Sequence, residues 1–101
     1  MIRVLALISE RFETMTSLTL TFKALSDPTR RKILELLKKK SMSAGEIAEH
    51  FAITLPSLTH HFNLLKQADL ISQERQGQQI IYSINLSVME ELIEEYFKLF
   101  K

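Results

Sequence analysis

The sequence has no cysteine and only two glycines and two prolines among its 101 residues. The absence of cysteine excludes disulfide bonds, iron–sulfur clusters, thiolate-bound zinc and a cysteine nucleophile. So few glycines and prolines argue against a disordered or loop-rich chain. No apolar run reaches the roughly 18 residues that a membrane span requires, and we therefore expect no membrane insertion.

What remains is the composition of one globular domain, 46% hydrophobic and 25% charged, with a net charge of +1. The basic residues cluster at Arg30–Lys32 and Lys38–Lys40. Clustered cations suit phosphate groups, although a solvated helix face is the simpler interpretation. The sequence has no glycine-rich phosphate loop and no nucleophile elbow, so we do not expect an enzyme.

The first residues differ from the rest of the chain. Met1–Ile8 is apolar but too short for a signal peptide, and it lacks a small-residue cleavage site. Met15 offers a second start for translation. We interpret residues 1–16 as an N-terminal extension of undetermined structure and residues 17–101 as a single domain.

Two helix starts separated by a few residues predict a helix-turn-helix. Ser43 and Glu46 have the spacing of a capping box, which would open a short helix. Thr54 is the next candidate N-cap. The buried face of the helix that follows is marked at i, i+4 and i+7 by Leu58, Phe62 and Leu65. The opposite face is small and polar, as a helix-turn-helix requires of its second helix.

The flanking segments add helices and a hairpin. Asp27-Pro28 predicts a helix start, preceded by a segment in which Leu18, Phe22 and Leu25 indicate a helix, although a strand-like alternation is also present. Residues 70–75 and 79–84 read as two strands joined through Gly77. Residues 87–90 have the pattern of a second capping box, which would open a final helix with one apolar and one acidic side.

Two segments carry a resemblance to a known family. Residues 22–37, FKALSDPTRRKILELL, resemble the second-helix signature of ArsR-type bacterial transcription regulators. Residues 55–71, LPSLTHHFNLLKQADLI, are similar to the recognition helix of that family and its exit into the wing. The likeness covers about residues 17–100 and is greatest to the metal-independent, SdpR-like autorepressor branch.

The resemblance implies a mainly α-helical winged helix-turn-helix with about five helices and a two-stranded wing. It also implies a homodimeric, autoregulatory transcriptional repressor on a pseudo-palindromic operator in double-stranded DNA. The implied DNA-binding residues are Thr54, Leu55, Pro56, Ser57, Thr59, His60, Asn63, Arg75, Gln76 and Gln78. The implied dimer interface joins the first and last helices through Leu18, Phe22, Leu92, Ile93, Tyr96, Phe97 and Phe100.

Residue chemistry suggests separate roles within the DNA-binding set. The hydroxyl groups of Thr54 and Ser57 suit phosphate oxygens, helped by helix amides. Leu55 and Pro56 suit contact with a thymine methyl group, and Thr59 and His60 suit base edges. Arg75 suits a minor groove or a phosphate. The neighbouring His61 lies nearer the buried stripe, where a packed structural role is favoured.

Metal-sensing relatives use cysteines in the third helix or Asp/His sets in the last, and neither is present here. We therefore expect no metal site and no cofactor. Two alternatives stay open. The winged helix could serve as a protein-interaction module, which would not need a positive stripe across recognition helix and wing. A repressor could also be gated by a small ligand or a partner protein.

Overall fold

A computed structural model describes residues 16–101, so expectations for residues 1–15 lie outside the described part. The chain is helical from residue 16 to residue 25 (α1). The elements that follow are α2 (Pro28–Lys39), β1 (Met42–Ser43), α3 (Ala44–Ala48), α4 (Leu55–Gln67), β2 (Ile71–Gln76), β3 (Gln79–Ile84) and α5 (Leu86–Lys98). This order is the predicted winged helix-turn-helix, in which α3 and α4 form the helix-turn-helix and β2 and β3 form the wing.

Three predicted helix starts are confirmed. The Asp27 carboxylate accepts a hydrogen bond from the Arg30 amide at 3.1 Å. Ser43 and Glu46 form the reciprocal capping box, with both hydrogen bonds at 3.1 Å. Thr54 caps α4. Each cap satisfies an amide that a helix N-terminus leaves without a partner.

The capping box predicted at residues 87–90 is wrong. Helix α5 begins at Leu86, with Asn85 in the N-cap position and no side-chain cap hydrogen bond. The side-chain Nδ2 of Asn85 instead donates to the Asp69 carbonyl oxygen at 2.9 Å, and the backbone N–H of Asn85 donates to the Leu70 carbonyl oxygen. These contacts hold the end of the wing against the end of α4, and they start α5 before Ser87 is reached.

The core lies between α2, α3, α4 and the sheet. Its largest fully buried side chains are Ile33, Ile47, Leu58, Leu65 and Leu70. The Phe62 ring of α4 stacks on the Tyr82 ring of β3, with the ring centroids 4.3 Å apart. This contact places one face of the sheet directly against the helix that the sequence identifies as the recognition helix.

The sheet has one more strand than the sequence predicts. The short strand β1 pairs antiparallel with β3, which also pairs with β2, so the strand order is β1-β3-β2. The wing closes through two residues, since Gln76 pairs with Gln79. Gly77 takes a φ of 64°, the sign that two-residue hairpins require at their first central position.

The apolar face of α1 also differs from expectation. Leu18, Thr21 and Ala24 are buried, whereas Phe22 is 46% exposed. The ring of Phe22 meets Tyr96 of α5 edge-on, with centroids 4.9 Å apart. The first and last helices therefore touch within one protomer. Within residues 16–101 no helix has both the length and the apolar character needed to cross a membrane.

Candidate nucleic-acid interface

The solvent-facing side of α4 carries the residues that the sequence assigns to DNA. Its buried positions are Leu58, Phe62 and Leu65. The remaining face is open to solvent at Thr54, Leu55, Pro56, Thr59, His60 and Asn63, and Ser57 is half-buried. One side of the helix is thus fixed by the core and the other is free to enter a groove. Among these, Leu55 is the most apolar projection, with 64% of its surface exposed.

The N-terminus of α4 offers phosphate ligands mainly through hydroxyl groups. The Thr54 Oγ1 accepts a hydrogen bond from the Ser57 amide at 3.3 Å, which leaves the Thr54 hydroxyl proton to donate. Pro56 has no amide hydrogen. Fewer helix amides are therefore open to an anion here than the sequence-based expectation assumed.

Arg75 of the wing lies on the face of the hairpin that is turned towards α4. Lys66 of α4 donates from Nζ to Oε1 of Gln73 in β2 at 3.1 Å, so Gln73 lies on the α4 side of the hairpin. Because side chains alternate along a strand, Arg75 lies on that side and Glu74 on the other. The register supports this, since Gln73 pairs with Tyr82, which stacks on α4, and Arg75 pairs with Ile80.

The wing tip is exposed at all three residues assigned to DNA, namely Arg75, Gln76 and Gln78. The Nε of Arg75 donates to the Gly77 carbonyl oxygen at 3.2 Å. This bond orients the guanidinium while its terminal nitrogens still face outward with donors for phosphate or a groove edge. The Lys66–Gln73 hydrogen bond therefore connects α4 to the face of β2 that carries Arg75, and Lys66 and Arg75 are the cations of these two elements on that face.

Two arginines of the basic cluster are occupied within the protomer. Arg30 donates to the carbonyl oxygens of Lys23 and Ala24, at 3.0 and 2.7 Å. Arg31 donates to the Leu25 carbonyl oxygen at 2.7 Å. Both side chains thus cap the C-terminus of α1, where cations are favoured by the helix dipole. Arg31 remains exposed despite this bond, and the exposed lysines of the cluster are Lys32 and Lys38–Lys40.

The two adjacent histidines of α4 have different surroundings. His60 is exposed, whereas the His61 side chain is 13% exposed and Nδ1 lies 3.0 Å from Nη1 of Arg30. Burial lowers the pKa of His61 below its ordinary value of 6.5. Asp27, 3.8 Å away, opposes this shift, and the charges of Arg30 and His60 add to it. His61 is therefore neutral at pH 7.

The sequence predicts a packed structural role for His61 but does not identify its hydrogen-bond partner. His61 and Arg30 are 31 positions apart, and no periodicity or cap pattern connects them. Asp27 lies beside both residues. Burial pushes the pKa of Asp27 upward, but the Arg30 amide and the charges of Arg30 and His61 outweigh it and leave this pKa lowered.

A second surface, on α5 and the adjoining part of α1, is apolar. Among the described residues none in α5 is buried within the single chain. We define the α5 apolar surface as the exposed side chains Phe22, Ile93, Phe97, Leu99 and Phe100. Tyr96 lies at its centre, with the Phe97 and Phe100 rings 5.9 and 5.1 Å from its own. Exposed apolar patches of this kind mark interaction sites.

The predicted dimer residues divide by exposure. Leu92 and Tyr96 are half-buried, and the others in α5 are exposed. Leu18 differs, because it is 5% exposed and packs inside the protomer. Leu18 therefore has little area to offer a partner. Within residues 16–101 no group of three or more His, Asp or Glu side chains is arranged to hold a metal ion.

Comparison with known proteins connects this geometry to characterised chains. Residues 25–74 match the family model of a helix-turn-helix domain. The chain is 61% identical over 72 residues to the transcriptional repressor SdpR of Bacillus subtilis. The matched region covers 71% of this chain and 80% of SdpR. It is 31% identical over 77 residues to the arsenical resistance operon repressor of Staphylococcus aureus, covering 76% and 74% of the two chains. An ArsR-like transcriptional regulator from Rhodococcus sp. RHA1 superposes with a TM-score of 0.78 at 25% identity, covering 86% and 82%.

Proposed function

The chain belongs to the ArsR-type family of winged helix-turn-helix transcriptional regulators, and we propose that this DNA-binding repressor acts as a homodimer on a pseudo-palindromic operator. The observation that carries the proposal is the common orientation of α4 and the wing. Lys66 of α4 bonds to Gln73 of β2, and Arg75 lies two residues further along the same face of that strand. Regulation of transcription, rather than catalysis, is the activity proposed.

In this mechanism each protomer inserts α4 into a major groove. Thr59 and His60 reach base edges from the exposed face, and Leu55 contacts a thymine methyl group. The hydroxyl groups of Thr54 and Ser57 hold phosphate oxygens and set the register of the helix. Arg75 at the wing tip reaches the flanking backbone or minor groove.

The two-fold axis of the proposed dimer runs through the α5 apolar surface. A symmetric dimer places two equivalent α4 helices on one side, so the half-site centres lie about 34 Å apart, one turn of B-DNA. Occupancy of such a site within a promoter blocks transcription. An operator in the repressor's own promoter would make it autoregulatory, as the resemblance to the SdpR-like branch implies. The proposal includes no metal, cofactor or membrane, and it places the protein with the DNA in the cytoplasm.

Selection of bound sequences from a random DNA pool tests this function and yields the operator. Two variants then separate reading from anchoring. His60→Ala should weaken operator binding by about 1–3 kcal/mol and change binding to random DNA little. Arg75→Ala should weaken binding to both DNAs and flatten the salt dependence by about one unit for each phosphate that the protein no longer neutralises.

Enrichment of a two-fold-symmetric sequence with these two responses is the expected result. Equal losses on operator and random DNA for both variants would contradict the division into reader and anchor, and would indicate a non-specific DNA binder. Failure of the pool to yield any enriched sequence would favour a protein-interaction module.

A further inference from the structure

Arg30 is a buried cation whose side chain joins three helices. It is 7% exposed although it carries a permanent charge. Its Nε and Nη2 donate to carbonyl oxygens in the last turn of α1, and its Nη1 lies 3.0 Å from Nδ1 of His61 on α4. Arginine has no acceptor atom, so Nη1 donates and neutral His61 accepts. The His61 proton is therefore on Nε2.

The surroundings of Arg30 hold it in this position. Its charge faces the negative end of the α1 dipole and the Asp27 carboxylate, which also accepts the Arg30 amide. Two of its donors are fixed by α1, and the third then points at one place on α4. The guanidinium is planar and rigid, so the direction of the third bond follows from the first two.

We propose that Arg30 is a positioning residue for DNA binding, whose hydrogen bond to His61 fixes the rotation of the recognition helix relative to α1. This inference rests on the proposed function, since α1 borders the dimer surface through Phe22 and Tyr96. The orientation of α4 relative to α1 then determines how far apart two recognition helices stand. Arg30 contributes to operator spacing without touching DNA.

The other contacts of α4 fix which side of the helix faces the core, but they are less directional than a hydrogen bond. Leu58, Phe62 and Leu65 pack by apolar contact, which is not directional. Lys66 holds Gln73 through a flexible, exposed side chain. A hydrogen bond requires both distance and angle, and His61 lies next to His60 in the chain, about 100° around the helix. A small rotation at His61 therefore displaces His60 at the base edges.

Protonation of His61 would remove the bond. The charged groups that face this imidazole are Asp27 before α2, Arg30 on α2 and His60 on α4 itself. A proton on Nδ1 abolishes the acceptor, sets two cations against each other, and leaves Asp27 as the only favourable partner among these groups. Because the pKa of His61 is lowered by folding, this occurs below pH 6.5 and destabilises the fold as the pH decreases through that range.

Two substitutions at His61 separate the hydrogen bond from the bulk of the side chain. His61→Asn keeps an acceptor oxygen close to the position of Nδ1 and does not titrate. His61→Phe keeps a ring and has no acceptor. The matched control is His50→Asn, which changes an exposed histidine in the turn after α3.

Operators in which the half-site spacing is changed by one or two base pairs report on positioning. At pH 7.5 the wild type and His61→Asn should prefer one spacing sharply. His61→Phe should bind the best operator on the order of tenfold more weakly, the effect of removing one hydrogen bond to a charged group, and should discriminate less between spacings. Stepwise acidification below pH 6.5 should bring the wild type towards the His61→Phe profile as His61 becomes protonated, and should change the profile of His61→Asn less.

The refuting results are equally specific. A His61→Phe dimer with the wild-type spacing profile would overturn the proposal, as would a His61→Asn variant that loses as much affinity as His61→Phe. If His61→Phe does not fold, the comparison of wild type, His61→Asn and His50→Asn across pH still decides the question. Equal acid sensitivity of all three would overturn the proposed role of His61.

A measurement without DNA distinguishes failure of this inference from failure of the proposed function. Nitrogen-15 NMR of the free protein should show His61 as the Nε2–H tautomer at pH 7.5, with a pKa below its ordinary value. If His61 instead titrates at its ordinary value, the hydrogen bond between Arg30 and His61 is refuted, even if the protein binds DNA. If the Arg30–His61 hydrogen bond is present but the protein selects no DNA sequence, the proposed function is refuted instead.

Discussion

Changing Phe97 to glutamate should dissociate the dimer while leaving each protomer folded. The Phe97 ring is 59% exposed in the single chain, so it contributes little to the core. Tyr96 is a less suitable target, because its ring packs on Phe22 within the protomer and its replacement would also disturb that contact. Phe97, an exposed residue within α5, therefore tests the interface with little effect on the fold.

The expected magnitude follows from the exposed area. Of roughly 200 Å² of surface for a phenylalanine, the exposed fraction of Phe97 amounts to about 120 Å². Covering that area contributes about 3 kcal/mol per protomer at about 25 cal/mol per Å². Two copies meet in the dimer, and if half to all of this area is covered, the loss is about 3–6 kcal/mol. The dissociation constant then rises roughly 100- to 10,000-fold, before the cost of burying a carboxylate is added.

Sedimentation velocity over a wide concentration range measures the dissociation constant directly, and circular dichroism checks that the variant is folded. The matched control is Leu55→Glu, the same change at a similarly exposed apolar residue on the DNA-facing side. Leu55→Glu should remain dimeric and lose operator binding. Phe97→Glu should become monomeric and keep its affinity for an isolated half-site. An unchanged dimer in Phe97→Glu would exclude the α5 apolar surface as the interface.

Two further predictions concern metals and the two glycines. Zinc, nickel, cobalt or copper at modest excess should leave operator affinity unchanged, because the sequence lacks thiolates and its last helix lacks imidazoles; a loss of about tenfold reversed by a chelator would contradict this. In urea unfolding, Gly77→Ala should cost about 1–2 kcal/mol, since its φ of 64° strains any side chain. Gly45→Ala should instead stabilise the fold by about 0.4–1 kcal/mol, because its added Cβ meets only the Ser43 Oγ, at 3.9 Å. Equal effects of the two glycine changes would contradict the backbone argument.

The elements that could be predicted from the sequence are those whose signals are local. Asp27, the Ser43–Glu46 pair and Thr54 each act on amides two or three residues away, so the pattern contains both partners. The buried stripe of α4 is equally local, since its members recur at fixed helical spacing. These signals specify where α2, α3 and α4 begin and which side of α4 faces the core.

The features that could not be predicted depend on distant partners. Strand β1 exists because Met42 pairs with Tyr82, forty residues away, and two residues carry no periodicity of their own. The start of α5 is set by contacts of Asn85 with the end of α4, which override the local Ser87 pattern. Neighbouring residues can each serve as the N-cap of a helix. Here the contact between Asn85 and Asp69 favours the start at Leu86 over the later start that Ser87 would give.

The same distinction explains why the basic cluster was ambiguous. Arg30, Arg31 and Lys32 are consecutive cations, and the sequence alone does not show which of them contacts phosphate. Their roles separate only because α1 ends beside the start of α2 and presents its carbonyl oxygens to the two arginines. The recognition surface is left with few full charges, chiefly Lys66 and Arg75. A surface so weakly charged gains affinity mainly by doubling its contacts, which is what the proposed dimerisation through α5 would provide. The precise orientation of α4 relative to the dimer helices, and hence the Arg30 link, therefore bears directly on whether both half-sites can be occupied together.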